Sequence, residues 1–156
     1  MTDPDQPSSA DLRHLRQAID LSKLCPRSDT AFSVGALVVG ADGVELARGY
    51  SRETDPHDHA EEVALARLEA GDPRLATATL YSSLEPCSTR ASRPRSCTRL
   101  ILDTPIPRVV FAWREPALFV DCTGAEDLRA AGRTVIEVPA LAPDVRAVNA
   151  HLLTRS

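Results

Sequence analysis

Four side chains combine types and spacing that could do chemistry: His59, Glu61, Cys87 and Cys97. One imidazole and two thiols form a soft nitrogen and sulfur set suited to tetrahedral zinc, with three protein ligands and an open fourth position. An open position is the mark of a catalytic rather than a structural zinc site, which more often arrives as close pairs, and the chain has no CxxC. Glu61 follows His59 by two residues at the start of an expected helix, where it reaches toward the open position without being a ligand. Zinc lowers the pKa of its water to about 7, so such a carboxylate can take that proton and pass it to a substrate nitrogen. His57 lacks a glutamate at the same offset, which singles out His59.

The two cysteines bound the stretch PCSTRASRPRSC, in which nine residues separate them and Arg90, Arg93 and Arg95 supply positive charge. Guanidinium groups beside a metal could pair with a phosphate in bidentate fashion, and a solvated loop would explain them equally well. Glu85, just before Pro86, could orient a substrate amino group or support the loop. Glu62 reads as a solvated first-turn carboxylate interacting with the helix dipole. Cys25 and Cys122 read as small buried apolar residues, His14 and His151 as surface residues of terminal helices, and Trp113 as core or a subunit contact.

These residues need a scaffold, and pattern supplies one. SADLRHLRQAIDLSKLC places Leu12, Leu15, Ala18 and Ile19 at helical spacing, with Pro26 ending the helix. Two apolar runs around Ala41-Asp42-Gly43 predict a β-hairpin. HAEEVALARLEAGD predicts a helix stopped by Gly71, ATLYSSL a strand, SCTRLILD a short helix and RVVFAW a buried strand. TGAEDLRAAG predicts a helix with a Thr123/Glu126 capping box and Gly132 at its end, RTVIEV a last strand, and residues 144–154 a terminal helix. Strands alternating with helices imply a sheet covered on both faces, with the hairpin as an antiparallel part of an otherwise parallel set. The expected architecture is therefore a three-layer α/β/α sandwich on a five-stranded mixed sheet. Residues 1–9, polar and rich in Pro and Ser, are expected to be a disordered tail, and 10–156 a single domain.

Composition narrows the class of function without naming one. With 43% hydrophobic and 26% charged residues the 156-residue chain resembles ordinary globular proteins. A net charge of -4 argues against broad binding to nucleic acid or anionic membranes, and an aromatic content of 4% argues against base stacking along a nucleic acid strand. Four cysteines are too sparse for a disulfide scaffold, no charged and apolar leader opens the chain, and no apolar run has the length of a membrane span. A cytoplasmic, reduced protein is expected.

His59-Ala60-Glu61 followed by Pro86-Cys87 and Cys97 resembles the signature of the zinc-dependent cytidine deaminase-like superfamily. The resemblance runs over roughly residues 10 to 140, including VGALVV and TLYSSLEPC. It implies that fold, Zn2+ held by His59, Cys87 and Cys97, Glu61 as the acid/base, and a homo-oligomer, commonly a dimer. The nine-residue spacing is typical of the pyrimidine deaminases of riboflavin biosynthesis, and GYSRE, TLYSSLEPCS and TGAEDLRAAGRTVIEV look most like their fungal-type members. That likeness implies hydrolytic deamination of a phosphorylated diaminopyrimidinone. Where bacterial members carry Pro-Asn-Pro this chain has Thr30-Ala31-Phe32-Ser33, so Phe32 and Ser33 are expected to line the substrate site. No reductase segment follows Ser156, so any reductase is expected on a separate chain. Two other readings remain open: a deaminase of cytidine, a cytidine nucleotide, a free base or a specialised metabolite, and a zinc-stabilised binding protein without turnover.

Overall fold

The computed structural model describes residues 5–90, 93–116 and 122–153. In chain order the elements are α1 (Ser9–Ser22), β1 (Gly35–Val39), β2 (Glu45–Tyr50), α2 (Ala60–Ala66), β3 (Thr79–Leu84), α3 (Cys97–Leu102), β4 (Arg108–Trp113), α4 (Gly124–Ala130), β5 (Thr134–Glu137), α5 (Ala142–Val148) and α6 (Ala150–Leu153). The sheet order is β2-β1-β3-β4-β5. β1 runs antiparallel to both β2 and β3, whereas β3, β4 and β5 are parallel. The expected five-stranded mixed sheet and three layers are therefore observed.

Strand side chains alternate between two cores, as a pleated strand requires. Leu37, Val39, Tyr81, Val110, Ala112, Ile136 and Val138 face α1 and α5. Val38, Leu80, Val109, Phe111 and Val135 face the opposite layer, packing with Ile101 of α3 and Leu128 of α4. A third cluster of Phe32, Val34, Ala36, Ala60, Ala64, Leu84 and Leu152 lies under α2, next to the site residues.

Local chemistry explains most boundaries. The α1 helix starts with a reciprocal capping box: Asp11 N–H donates to Ser8 Oγ at 3.1 Å and Ser8 N–H to Asp11 Oδ2 at 2.9 Å. Of the expected tail, residues 1–4 lie outside the described residues, while Ser8 and Ser9 belong to this helix start. Gly43, at φ +84°, closes the hairpin as the Asp-Gly pair predicts. α4 ends in a Schellman motif, with Gly132 at φ +87° and the Arg133 N–H donating to Leu128 O at 3.0 Å.

Four expectations are corrected. α2 stops at Ala66, because the Arg67 N–H closes on Ala64 and Leu65 carbonyls and its guanidinium is drawn to Glu53; Gly71 lies in a later turn. The α4 capping box does not form: Thr123 Oγ1 donates to Asp127, and Glu126 swings out to Arg114. The terminal helix is two helices that break at Asn149, and Thr154 lies outside the described residues. His14 is buried, with its ring 5.2 Å from that of Tyr81, and His151 is half-buried. Among the described residues no helix is long and apolar enough to cross a membrane.

Candidate active site

His59 is the N-cap of α2, so its side chain leaves the chain where the helix begins and Glu61 sits in the first turn. Cys87 follows the end of β3, and Cys97 opens α3. One strand end and two helix starts thus converge. The donor atoms of His59, Cys87 and Cys97 all lie within 4.8 Å of one another, the single such group among the described residues. His59 Nδ1 is 3.5 Å from Cys87 Sγ and 3.4 Å from Cys97 Sγ. Cys25 and Cys122 stand apart and donate to the carbonyls of Val34 and Pro86.

The donor set fits a metal cation in charge as well as in geometry. Cys87 Sγ accepts the Cys97 backbone N–H at 3.2 Å. Hydrogen bonding from the Cys97 thiol, then from His59, pulls the Cys87 thiol well below its usual value, while the same partnership and burial push Cys97 up. The partnership favours the thiolate form at Cys87, and a thiolate is what zinc binds. Close packing fixes the site from behind: a Cβ on Gly124 would sit 1.9 Å from Pro86 O, so the start of α4 touches the chain beside Cys87 only because residue 124 is glycine.

Glu61 is 4% exposed. The Ser82 hydroxyl lies 2.6 Å from Glu61 Oε1, to which it donates, and 2.7 Å from Leu84 O, so its one hydrogen serves one of them at a time. Burial pushes the Glu61 carboxyl upward, and among the described residues no arginine or lysine pairs with it. His59, Glu61 and Cys87 line one cavity of about 560 Å³, within the range of sites for small organic ligands.

The other expected contacts divide. Phe32 lines the cavity, its ring 5.8 Å edge-on from Trp113. Ser33 does not; its backbone is tied to Asn149 and its hydroxyl accepts from Arg52. Glu85 lines it, but its carboxylate oxygens accept the backbone N–H groups of Glu115 and Ala125, which supports the loop after β4. Of the three arginines only Arg90 reaches the cavity. Its side chain is 3% exposed, with Nη2 donating to His57 O at 2.8 Å while Nε and Nη1 are buried with no partner among the described residues. Arg93 is engaged by Asp55, Asp58 and Glu62, and Arg95, 61% exposed, by Asp103. Glu62 also accepts the His59 N–H at 3.3 Å, so it locks the arginine loop to α2 rather than being merely solvated. Sequence reading missed Glu115, a cavity residue whose carboxyl burial pushes up to about 7. Its signal was an acid two residues past a buried strand, at the end of a parallel sheet where ligands bind.

Residues 8–113 match the model of the cytidine and deoxycytidylate deaminase zinc-binding region. The chain belongs to this family. It is 40% identical over 126 residues to the diaminohydroxyphosphoribosylamino-pyrimidine deaminase of Schizosaccharomyces pombe, a match covering 80% of this chain and 31% of that protein. It is 38% identical over 122 residues to the riboflavin biosynthesis protein RibD of Aquifex aeolicus, covering 78% and 32%. The chain thus spans about a third of the length of these curated relatives. Among solved structures, the diaminohydroxyphosphoribosylaminopyrimidine deaminase/5-amino-6-(5-phosphoribosylamino)uracil reductase of Thermotoga maritima superposes with a TM-score of 0.74 at 31% identity, over 91% of this chain and 40% of that one. The Rib2 deaminase of Aspergillus oryzae, in complex with DARIPP, superposes at 0.75 over 90% of each chain; at 24% identity this is a likeness of fold. The deaminase zinc-binding family and the convergent His59, Cys87 and Cys97 agree on zinc as the cofactor.

Proposed function

We propose that residues 10–156 form one zinc-dependent hydrolytic deaminase domain, and that its substrate is the phosphorylated diaminopyrimidinone of riboflavin biosynthesis. The observation that carries the chemistry is Glu61, buried with no cation partner among the described residues in the cavity that His59 and Cys87 also line. The names of the relatives in fission yeast and Aquifex support the pathway. His59, Cys87 and Cys97 would hold the metal, which when bound supplies the Lewis acidity that makes water a nucleophile near neutral pH.

The chain's own residues then handle protons and orientation. Ser82 fixes Glu61 Oε1, leaving Oε2 to exchange protons with the reactants. Glu61 accepts the first proton that the attacking water gives up and delivers it to the ring nitrogen beside the reacting carbon. It then takes the remaining hydroxyl proton of the adduct and passes it to the departing amine, which leaves as the carbonyl forms. Water and the aminopyrimidine become a carbonyl and ammonia. A carboxyl raised by burial suits both directions of transfer near neutral pH.

Arg90 supports a phosphorylated substrate. Two guanidinium nitrogens buried without partners among the described residues cost free energy until an anion meets them, and a phosphate offers the matching geometry. The test is ammonia release from a panel of phosphorylated and unphosphorylated aminopyrimidines. Arg90→Met is expected to raise KM for the phosphorylated compound at least about tenfold, the worth of one charge-assisted hydrogen bond, with little change for its dephosphorylated form. Arg95→Ala is expected to change neither. Reaction of unphosphorylated compounds alone would remove the phosphate reading. Homo-oligomerisation and a cytoplasmic location belong to the same proposal on family resemblance; sedimentation as a monomer at every concentration would remove the former.

A further inference from the structure

One wall of the cavity is the stretch from Ser28 to Val34, which has no regular secondary structure and contributes Ser28, Thr30, Ala31, Phe32 and Val34 to the lining. Within it the Ser28 hydroxyl accepts the Thr30 and Ala31 N–H groups, but partners for Ser28 O and for both backbone groups of Ser33 must come from elsewhere. They come from the break between α5 and α6. Asn149 is fully buried, with Oδ1 accepting the Ser33 N–H at 2.7 Å and Nδ2 donating to Ser33 O at 3.2 Å. It therefore pairs with both backbone groups of one residue, as a neighbouring strand would. Nδ2 also donates to Val145 O at 3.1 Å, which completes its hydrogen bonding and ties the pair to the end of α5. Two residues on, His151 Nε2 donates to Ser28 O at 2.8 Å, and Leu152 packs in the cluster with Phe32 and Val34.

A helix break alone does not require this. The backbone N–H of Asn149 already closes α5 on Val145 and Arg146 carbonyls, and the Leu152 N–H bonds Asn149 O, so any residue tolerating that backbone would serve the helices. The side chain is directed at the wall. From the other side Arg52, at φ +59°, donates to Pro26 O, Phe32 O and Ser33 Oγ. Ser33 is thus gripped by two partners, Arg52, 19 residues on, and Asn149, 116 residues on.

We infer that Asn149 and His151 are positioning residues for the substrate: the α5–α6 junction sets the distance between the Ser28–Val34 wall and Glu61, and so determines which ring the cavity accepts. The inference rests on this cavity being the substrate site. In Asn149→Ala and in His151→Ala, KM for the phosphorylated diaminopyrimidinone is expected to rise about tenfold, the effect of one lost buried hydrogen bond, while kcat falls less and zinc content stays at the wild-type value. A purely structural role would lower the active fraction, and hence kcat, at unchanged KM. Amide hydrogen exchange read without substrate gives a second arm: the Ser33 amide should exchange at least about tenfold faster in Asn149→Ala, with the Tyr81 amide in β3 unchanged. His151→Ala, which removes one bond from a half-buried ring, covers the case in which Asn149→Ala does not fold, and its marker is faster exchange across residues 28–34. Unchanged KM in both variants, or Ser33 and Tyr81 exchanging alike, would overturn the inference. Absence of ammonia from the wild-type protein would instead remove the substrate reading, with the exchange arm still deciding whether the junction holds the wall.

Discussion

Asp11 and Glu61 are near twins with opposite fates. Each lies in the first turn of a helix, each is almost fully buried at 2% and 4% exposure, and each meets a hydroxyl of β3 at 2.6 Å, Tyr81 on one face and Ser82 on the other. Two things differ: depth, which is greater for Glu61, and a cation, which only Asp11 has among the described residues. Arg108 grips Asp11 bidentately at 2.7 and 2.6 Å. Burial by itself would raise the Asp11 carboxyl, but hydrogen bonds from Arg108, Tyr81 and the Ser8 backbone hold it far below the usual carboxylate range. Glu61 is as little exposed but set deeper in the protein, and among the described residues it has no such partner, so its carboxyl moves up instead. Burial makes a carboxylate costly; a paired guanidinium turns that cost into a fixed strut, and its absence leaves a group able to carry a proton.

The largest effect should come from removing the proton carrier. Glu61→Gln is expected to keep the fold and the zinc content while ammonia release falls by about 10²- to 10⁴-fold, the usual worth of a positioned acid/base. Activity near wild type in a zinc-loaded variant would end the proposed role. Next, Arg108→Met should turn Asp11 into a second uncompensated carboxylate. Unfolding free energy at neutral pH is expected to drop by about 3 kcal/mol or more, as when one partner of a buried pair is lost. That deficit should shrink in acid, because the stranded Asp11 then protonates; a loss independent of pH would show that packing, not charge, was removed.

Acid titration sharpens the same contrast. Asp11 is depressed in the folded state, so its contribution to stability is complete above the unfolded carboxylate value of about 3.9 and is lost as pH falls below that toward the folded value. Denaturant titrations of Asp11→Asn should therefore lie below wild type at pH 7 and approach it below about pH 4. The smallest change is expected from Tyr81→Phe, about 1 kcal/mol by the same measurement, because Arg108 and the Ser8 N–H still satisfy Asp11. A larger loss would mean that the hydroxyl, rather than the guanidinium, sets the state of Asp11.

The contrast also marks how far sequence reading reached. Glu61 was legible because its job depends on a local offset: two residues past His59 at a helix start, with cysteines after the next strand and ahead of the next helix. Strand alternation and the Asp-Gly turn are likewise short-range, and the sheet follows from them. Arg90, Arg93 and Arg95 were indistinguishable in sequence, since all three sit in one loop; the difference between them is which carboxylates the 53–62 and 97–103 segments bring alongside. His14 and His151 looked like surface residues because their helices are amphipathic, yet Tyr81 and the Ser28 carbonyl cover them. Asn149 had one weak signal, a short polar residue inside a helical pattern.

The sequence by itself determined the donor types, their order and the alternation of strands and helices, because backbone periodicity and metal-ligand chemistry act over a few residues. Only the tertiary structure decided which buried acid is pulled down and which is pushed up, which arginine faces the cavity and what holds the cavity wall. Those outcomes depend on desolvation and on partners up to 116 residues away, and no local spacing encodes either.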